Sequence, residues 1–232
     1  MNNYKHLFFD LDKTLWDFTE NTKETFVDLY NIFNLKEYGV SSPFAFHKAY
    51  EIHNDKLWDL YRKGEVEKSF LTKERYIRTL NDFGIVDENL AVEFSKKYIE
   101  IAPHKTKLID GTLNVLNYLC EKKYSLHIIT NGFNEVQFFK LKNSGLSEFF
   151  KTVTTSEDAG YNKPDKRVFI YALQNASAVK SESIMIGDDI SVDIMGACEA
   201  GIDQVFVNLE NKIPKVRATY EIKSLKELME IF

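Results

Sequence analysis

The sequence predicts an α/β protein with a doubly wound, mostly parallel, Rossmann-like sheet of five to six strands and an inserted all-helical domain. Three observations carry this prediction. A short apolar run, Leu7 to Phe9, is followed directly by two acids. Only helix-period patterns occupy residues 17–104, and from Gly111 onward helix and strand patterns alternate. We therefore expect an α/β core domain made of residues 1–16 and 105–232, and a helical cap domain made of residues 17–104.

The composition limits the class of protein. The chain has 232 residues, 44% of them hydrophobic, which is enough to bury a full core. A formal net charge of −5 argues against nonspecific nucleic-acid binding and leaves small molecules as partners. Cys120 and Cys198 fit reduced thiols that pack inside helices better than a disulfide framework. Met1 to Lys5 has no apolar signal core and no run is long enough to span a bilayer, so we expect a soluble cytoplasmic protein without a membrane partner.

The first strand ends where polar chemistry begins. Asp10 and Asp12 follow the apolar run at its carboxyl end, which is where open α/β sheets bind their ligands. Two acids one residue apart repel each other unless a cation or a proton separates them. The pair therefore indicates either a hard metal ion or two different protonation roles. A helix cap or a solvated turn is the plainer alternative for Asp12.

The next segment predicts helices only. Their apolar faces run from Phe26 to Phe33, Phe46 to Leu57, Leu71 to Phe83 and Leu90 to Ile101. Ser42 and Pro43 suit the cap and the first position of the second helix. The segment is too long for a simple βαβ crossover, so it indicates a domain whose aromatic stripes form its core. We interpret Arg62, Lys63 and Arg75 as solvated charges, with contact to a substrate as the alternative.

The remaining elements alternate. The patterns predict a helix around Val115 to Leu119, a strand from Ser125 to Thr130, a helix through Val136 that stops near Gly145, strands at Phe150 to Thr155, Ser183 to Gly187 and Gln204 to Val207, a short edge strand at Thr219 to Ile222, and a closing helix from Leu225 to Phe232.

Further polar groups follow these strands. Thr130, Asn131 and Gly132 offer a hydroxyl, an amide and backbone N–H groups that suit phosphate oxygens, although Thr130 could equally cap a helix. Lys163 precedes Pro164, which we expect to open a helix, and a plain surface lysine is the alternative.

A third group of acids follows the strand at Ser183 to Gly187. Asp188, Asp189 and Asp193 add to the acids already placed at this sheet edge, and so many carboxylates need a counter-ion. Mg²⁺ is the natural choice because it prefers oxygen ligands, whereas none of the five histidines has paired metal-ligand spacing.

These motifs, in this order, resemble the four motifs of the haloacid dehalogenase-like (HAD) superfamily. Asp10-Leu11-Asp12-Lys13-Thr14 is similar to the first motif. The resemblance implies that Asp10 is the nucleophile and Asp12 the general acid/base, with Lys163 as the lysine of the third motif.

The resemblance also implies the binding groups. Thr130, with Asn131 and Gly132, would hold the phosphoryl group together with Lys163. Asp188 would bind Mg²⁺ with Asp10 and the backbone carbonyl of Asp12, and Asp193 would support the metal or Lys163. The sequence departs from the family at Asp189, where Ser or Thr is usual, and at Ile109-Asp110-Gly111, where many members have Pro before Gly.

Within the superfamily, the helical insert resembles the cap of the subgroup with a small helical cap. The segment from Phe9 to Asp17 and the motif Lys163-Pro164-Asp165-x-x-x-Phe169 look most like the pyrimidine 5′-nucleotidase-type members of that subgroup. This implies a magnesium-dependent phosphatase that hydrolyses a small phosphorylated metabolite through an aspartyl-phosphate intermediate. A nucleoside 5′-monophosphate is the first choice of substrate, and a sugar phosphate or phosphoglycolate-type ester is the second. A phosphomutase, a 2-haloacid dehalogenase and, from a different class, a phospho-acceptor signalling module remain as alternatives.

Overall fold

The predicted strands form one parallel sheet in the computed structural model, which describes residues 4–214 and 216–232. The strands are β1 (His6–Phe9), β2 (Ser125–Thr130), β3 (Phe150–Thr155), β4 (Ser183–Gly187), β5 (Asp203–Val207) and β6 (Tyr220–Ile222). Their order across the sheet is β3-β2-β1-β4-β5-β6. Because the chain builds outward from β1 to both edges, the sheet is doubly wound and the predicted fold class is confirmed. The first three residues of the segment used above to judge a signal peptide lie outside the described residues.

The register of the central strands decides where the polar groups meet. Phe9 pairs with Ile128 of β2 on one side and with Ile186 of β4 on the other. The three strands are parallel, so their carboxyl ends lie at the same edge of the sheet. The residues that follow these ends, Asp10 after β1 and Asp188 after β4, are therefore neighbours in space.

The sheet is covered on both faces. Leu7 and Phe9 pack with Leu116 and Ile186 in one apolar cluster, while Phe8 packs with Phe169 in another. Leu7, Phe8 and Phe9 are all fully buried, which explains why β1 reads as a continuous apolar run instead of an alternating one. Each such side chain contributes roughly 1.5–3 kcal/mol through its removal from water.

The chain divides into two compact units, Met1–Phe18 with Thr106–Phe232, and Thr19–Lys105. The second unit is helical. Its helices are α1 (Phe18–Ile32), whose first residue still belongs to the first unit, α2 (Pro43–Arg62), α3 (Lys68–Asp82) and α4 (Glu88–Ile101). Its core is aromatic, with Phe26, Phe46 and Phe94 in contact. The Ser42 hydroxyl accepts a hydrogen bond from the Ala45 amide at 3.1 Å, so the predicted cap of α2 is confirmed.

Arg75 of α3 corrects one expectation. We predicted a solvated charge, but Arg75 is only 5% exposed. Its guanidinium lies 5.0 Å from the ring centroid of Tyr76 and 5.3 Å from that of Tyr98, and Nη1 donates to Asn54 Oδ1 at 3.2 Å. Aromatic ring faces attract a cation and replace part of its hydration. The order of residues in the sequence does not show that such rings surround Arg75.

Helices of the α/β unit cover the two faces of the sheet. They are α5 (Thr112–Glu121), α6 (Asn134–Asn143), α7 (Ser156–Ala159), α8 (Lys166–Asn175), α9 (Met195–Ala200) and α10 (Leu228–Ile231), with a π-helical turn at Ile190–Ile194 before α9. Among the helices of the described residues, none has both the length and the apolar character needed to cross a membrane.

Two local expectations in this unit are wrong. Cys120 and Cys198 lie in α5 and α9 as predicted but are exposed. In α5 the preceding residue, Leu119, lies on the buried face, and the next position of a helix points about 100° away from it. Pro164 does not open α8, which starts at Lys166 with Asp165 as its N-cap.

The chain leaves and re-enters the α/β unit at neighbouring points. Trp16 forms an antiparallel bridge with Leu108, and the Asp17 amide donates to the Lys107 carbonyl at 3.0 Å. The Ile109 amide in turn donates to Leu15 at 2.9 Å. These bonds hold the two crossing segments side by side.

Candidate active site

Lys163 lies at the centre of a buried ionic cluster next to the end of β1. It is 1% exposed, and its ammonium donates to Asp10 Oδ1 at 2.6 Å, to Asp193 Oδ1 at 2.7 Å and to the Ile129 carbonyl at 2.9 Å. All three ammonium protons are therefore used. Burial alone would lower the pKa of Lys163, but the charges of Asp10 and Asp193 outweigh it and raise that pKa. The alternative of a surface lysine does not describe this residue.

Three carboxylates form the acidic half of this cluster. Oxygen atoms of Asp10, Asp188 and Asp193 lie within 4.8 Å of one another. Burial raises the pKa of Asp10 well above its usual value, with Lys163 opposing and the other two acids adding to the rise. Burial and the charge of Asp193 raise the pKa of Asp188 to about 7. Fully ionised, the three acids and Lys163 carry two net negative charges, which a divalent cation would neutralise.

The donor set fits magnesium. Asp10 and Asp188 offer hard carboxylate oxygens, the ligand type that Mg²⁺ prefers. Thr14 donates its hydroxyl proton to Asp188 Oδ1 at 3.1 Å, which fixes that carboxylate and gives the threonine of the first motif a place. Asp193 serves Lys163 and also accepts from the Asp189 amide at 3.2 Å.

Asp12 has partners of its own. Its Oδ1 accepts from Lys140 Nζ at 2.6 Å and its Oδ2 accepts from Gln137 Nε2 at 2.8 Å. Both donors lie on α6 and are buried. Two buried donors distinguish this carboxylate from the solvated turn that we considered for it.

Sequence reasoning missed Gln137 and Lys140. The available signal is their spacing: three residues apart, they share one face of the helix that follows the second motif. A polar, buried face on that helix points to the strand end that it follows.

The second-motif residues fill several structural roles. Thr130 Oγ1 accepts from the Gly132 amide at 3.1 Å and from Gln137 Nε2 at 3.2 Å. Asn131 uses both ends of its amide on the backbone of Lys163, at 2.9 and 2.8 Å. At Gly132 any Cβ atom would collide with the Gln137 side chain. Because α6 starts only at Asn134, Thr130 does not cap it.

The acids after β4 divide their roles. Asp189 Oδ1 accepts from the amides of Ser191 and Val192 at 2.8 and 3.1 Å, so it caps the π-helical turn. That role explains an acid where the family usually has Ser or Thr, since all three types are good caps. At Gly187 a Cβ atom would overlap the Asp193 carboxylate, so glycine is needed there.

The structure therefore brings together the residues that the sequence indicated. Asp10, Lys163, Asp188 and Asp193 form one cluster, and Asp12 and Thr130 are joined through Gln137. The convergence follows from the register of β1, β2 and β4. Lys163 faces Asp10 and Asp193, and Lys140 faces Asp12, so each buried lysine among these residues has a carboxylate partner.

Comparison with known proteins identifies the family. The family model described as haloacid dehalogenase-like hydrolase matches residues 7–207. The chain belongs to the haloacid dehalogenase-like hydrolases. The predictions of this superfamily and of a hydrolase are thereby confirmed.

Relatives of this HAD-like hydrolase are similar over nearly their full length. The solved structure of the HAD-hydrolase YfnB from Bacillus subtilis, bound to magnesium, superposes with a TM-score of 0.89 at 29% identity, covering 99% of this chain and 98% of that one. Pyrimidine 5′-nucleotidase PynA of Streptococcus pneumoniae is 32% identical, covering 98% of this chain and 94% of the relative. A glyceraldehyde 3-phosphate phosphatase of Methanothermobacter thermautotrophicus is 28% identical, with 89% and 86% covered.

Proposed function

We propose that this HAD-like hydrolase is a magnesium-dependent phosphatase of small phosphate monoesters, with a pyrimidine nucleoside 5′-monophosphate as its first-choice substrate. The observation that carries the proposal is the buried cluster of Asp10, Lys163, Asp188 and Asp193 at the carboxyl end of β1. It combines a nucleophile with a site for a divalent cation, and the uncatalysed reaction lacks both.

The first step is attack by Asp10. A phosphate monoester resists hydrolysis because its anionic oxygens repel nucleophiles and its alkoxide leaves poorly. An Oδ atom of Asp10 attacks phosphorus in line, the bond from phosphorus to the leaving oxygen breaks, and an aspartyl phosphate forms. Lys163 holds Asp10 and adds positive charge beside the phosphate oxygens. Magnesium, held by Asp10, Asp188 and the Asp12 carbonyl, would supply charge neutralisation.

Asp12 carries the protons in both steps. It donates one to the leaving oxygen as the first bond breaks, and it then takes one from the water that attacks the aspartyl phosphate. Breaking the bond between phosphorus and Asp10 releases phosphate and restores the enzyme. General acid–base groups of this kind contribute roughly 10²–10⁴ in rate.

Two relatives support the choice of substrate class. PynA, similar over nearly the whole chain, is a pyrimidine 5′-nucleotidase, and this favours the nucleotide. The second candidate is a small sugar phosphate, since a glyceraldehyde 3-phosphate phosphatase matches at 28% identity. The helical unit, Thr19–Lys105, is expected to select between them.

The substrate class is tested with a panel of esters. Uridine and thymidine 5′-monophosphate, glyceraldehyde 3-phosphate and 2-chloropropionate are each offered with Mg²⁺ and with EDTA. We expect continuous release of phosphate from the pyrimidine nucleotides with Mg²⁺, and at least about a hundredfold less with EDTA. A single labelling event without turnover would favour the phospho-acceptor alternative, and chloride release would favour the dehalogenase.

The nucleophile is tested by Asp10→Asn. An amide does not form the acyl phosphate, so kcat should fall by at least about a thousandfold. The matched control is Asp189→Asn, which changes the same functional group nearby but keeps a capping side chain, and it should retain activity within a few-fold. Wild-type turnover by folded Asp10→Asn would refute the mechanism.

A further inference from the structure

We propose that Lys140 and Gln137 are positioning residues that clamp the Asp12 carboxylate for proton transfer. The inference rests on the proposed function, because it deepens the part played there by Asp12. Both residues approach from one face of α6 and together they bind both oxygens of the carboxylate. This contact belongs to side chains outside the four motifs that identify the family.

Lys140 is a buried ammonium that is dedicated to Asp12. It is 4% exposed, and within the part of the chain that the structure describes Asp12 is its one acidic partner. The same Nζ lies 4.0 Å from the centroid of the Trp16 ring, so aromatic surface covers it on another side. Removing an ammonium from water costs several kcal/mol, and a lone lysine on this helix would avoid that cost by reaching solvent. The Asp12 carboxylate compensates for the burial.

Gln137 is held in one orientation by the same carboxylate. Its Nε2 donates to Asp12 Oδ2 and to Thr130 Oγ1, whereas its buried Oε1 has no hydrogen-bond partner in the described residues. A rotated amide would place Oε1 against Asp12 Oδ2, and two acceptor oxygens repel each other. An unpaired buried acceptor costs about 1–3 kcal/mol, so this orientation of the Gln137 amide would be unfavourable in a side chain that served packing alone. The hydrogen bond to Asp12 explains why Gln137 adopts it.

The clamp separates the two acids of the first motif. Asp10 has Lys163 as its buried cation, and Asp12 has Lys140. With both oxygens bound on the α6 side, the Asp12 side chain does not join Asp10, Asp188 and Asp193 in the acidic cluster. It is thereby kept at a fixed place beside that cluster. There the protonated carboxyl gives its proton to the leaving oxygen as the phosphorus–oxygen bond breaks, and it regains one from the water that attacks the aspartyl phosphate.

The proposal predicts a dependence on the leaving group. Phenolate, with a conjugate acid of pKa near 10, needs a proton from Asp12 as it leaves. The 4-nitrophenolate ion is far less basic and leaves without one. Loss of the clamp should therefore slow the hydrolysis of phenyl phosphate much more than that of 4-nitrophenyl phosphate. A side chain that only supported the fold would slow both equally.

The test measures kcat/KM for these two esters, with Mg²⁺, in wild type and Lys140→Met. Methionine keeps the length and the contact with Trp16 but removes the donor. We expect the ratio of 4-nitrophenyl to phenyl phosphate to rise by about tenfold or more. The control Lys142→Met, an exposed lysine of the same helix, should leave the ratio unchanged. In an Asp12→Asn background, Lys140→Met should change the ratio no further.

The possible outcomes distinguish failure of the clamp from failure of the proposed function. If wild type hydrolyses both esters and Lys140→Met slows them equally, the positioning proposal is overturned and the phosphatase stands. If wild type hydrolyses neither with Mg²⁺, the proposed function itself fails. Should Lys140→Met not fold, Gln137→Met carries the same test, since it removes the second donor together with the unpaired Oε1, and an unchanged ratio there overturns the clamp.

Discussion

His127 is a buried histidine in the middle of β2. It is 1% exposed, its Nδ1 lies 2.8 Å from Thr152 Oγ1, and its Nε2 lies 3.1 Å from His6 Nδ1. Its ring also stacks on Phe8, with centroids 4.7 Å apart. Burial, with a smaller effect of His6, lowers the pKa of His127 from 6.5 to about 4. Between pH 4 and 6.5 the imidazole of His127 is therefore mostly neutral in the folded protein and mostly protonated in the unfolded chain.

This pKa makes stability depend on pH. Between pH 6.5 and 4 the unfolded state binds the extra proton, so the free energy of unfolding falls as the pH falls, by up to about 3 kcal/mol from this group. We expect the free energy of unfolding, measured by urea titration, to decrease less between pH 7 and pH 4 in His127→Gln than in wild type. Parallel pH profiles for the two proteins would contradict the assignment.

Residue identity alone did not reveal the buried cations. Arg75, Lys140 and Lys163 are all nearly inaccessible to water, although Lys and Arg are mostly exposed in proteins. The sequence indicated a functional role for Lys163 only because this residue matches the lysine of the third HAD motif. Arg75 lies among the rings of Tyr50, Tyr76 and Tyr98, and two of these come from other helices, so the neighbouring Tyr76 alone did not indicate burial. For Lys140 the partner, Asp12, is distant in sequence, and the spacing from Gln137 is the one local signal.

At the scale of elements, the start of α2 shows how one side chain fixes a helix end. The Ser42 hydroxyl accepts from the Ala45 amide, whereas Glu67, at the equivalent position before α3, makes no such bond. Ser42→Ala should therefore lower the free energy of unfolding of the protein by about 1 kcal/mol in urea titrations. Glu67→Ala is the matched control and should change it little, so equal losses in the two variants would count against the cap.

The elements with a clear hydrophobic pattern were predictable, and two short elements without one were not. Continuous apolar runs, such as those that contain Phe8 in β1 and Ile186 in β4, predict buried strands. The structure contains all six predicted strands. The π-helical turn Ile190–Ile194 and the four-residue α7 were missed. Both are too short for hydrophobic periodicity, and the turn depends on the cap supplied by Asp189 and on the space at Gly187.

At the scale of the whole molecule, the proposed binding of Mg²⁺ by the acidic cluster predicts that the cation stabilises the folded protein. A ligand that binds only the folded state at a hundred times its Kd stabilises it by about 2.7 kcal/mol. We expect Mg²⁺ to raise the melting temperature of wild type relative to EDTA. In Asp188→Asn the rise should disappear, while the protein in EDTA becomes more stable because one repelling charge has gone.

Thermal unfolding in Mg²⁺ and in EDTA measures both effects. Asp165→Asn, which changes the half-buried N-cap of α8, is the control and should keep the full rise with Mg²⁺. An undiminished rise in Asp188→Asn would place the cation elsewhere.

The paired crossing segments at Trp16 and Leu108 bear on how this protein came to be. The hydrogen bond from the Asp17 amide to the Lys107 carbonyl holds the two ends of the helical insert close together, so residues Thr19–Lys105 form an exchangeable cassette. Exchange of that cassette for another, or for a brief tether, would leave every neighbour relationship in the sheet intact, since closing so short a gap costs little chain entropy. Recombination at this junction would therefore replace the helical unit and leave the residues at the strand ends in place.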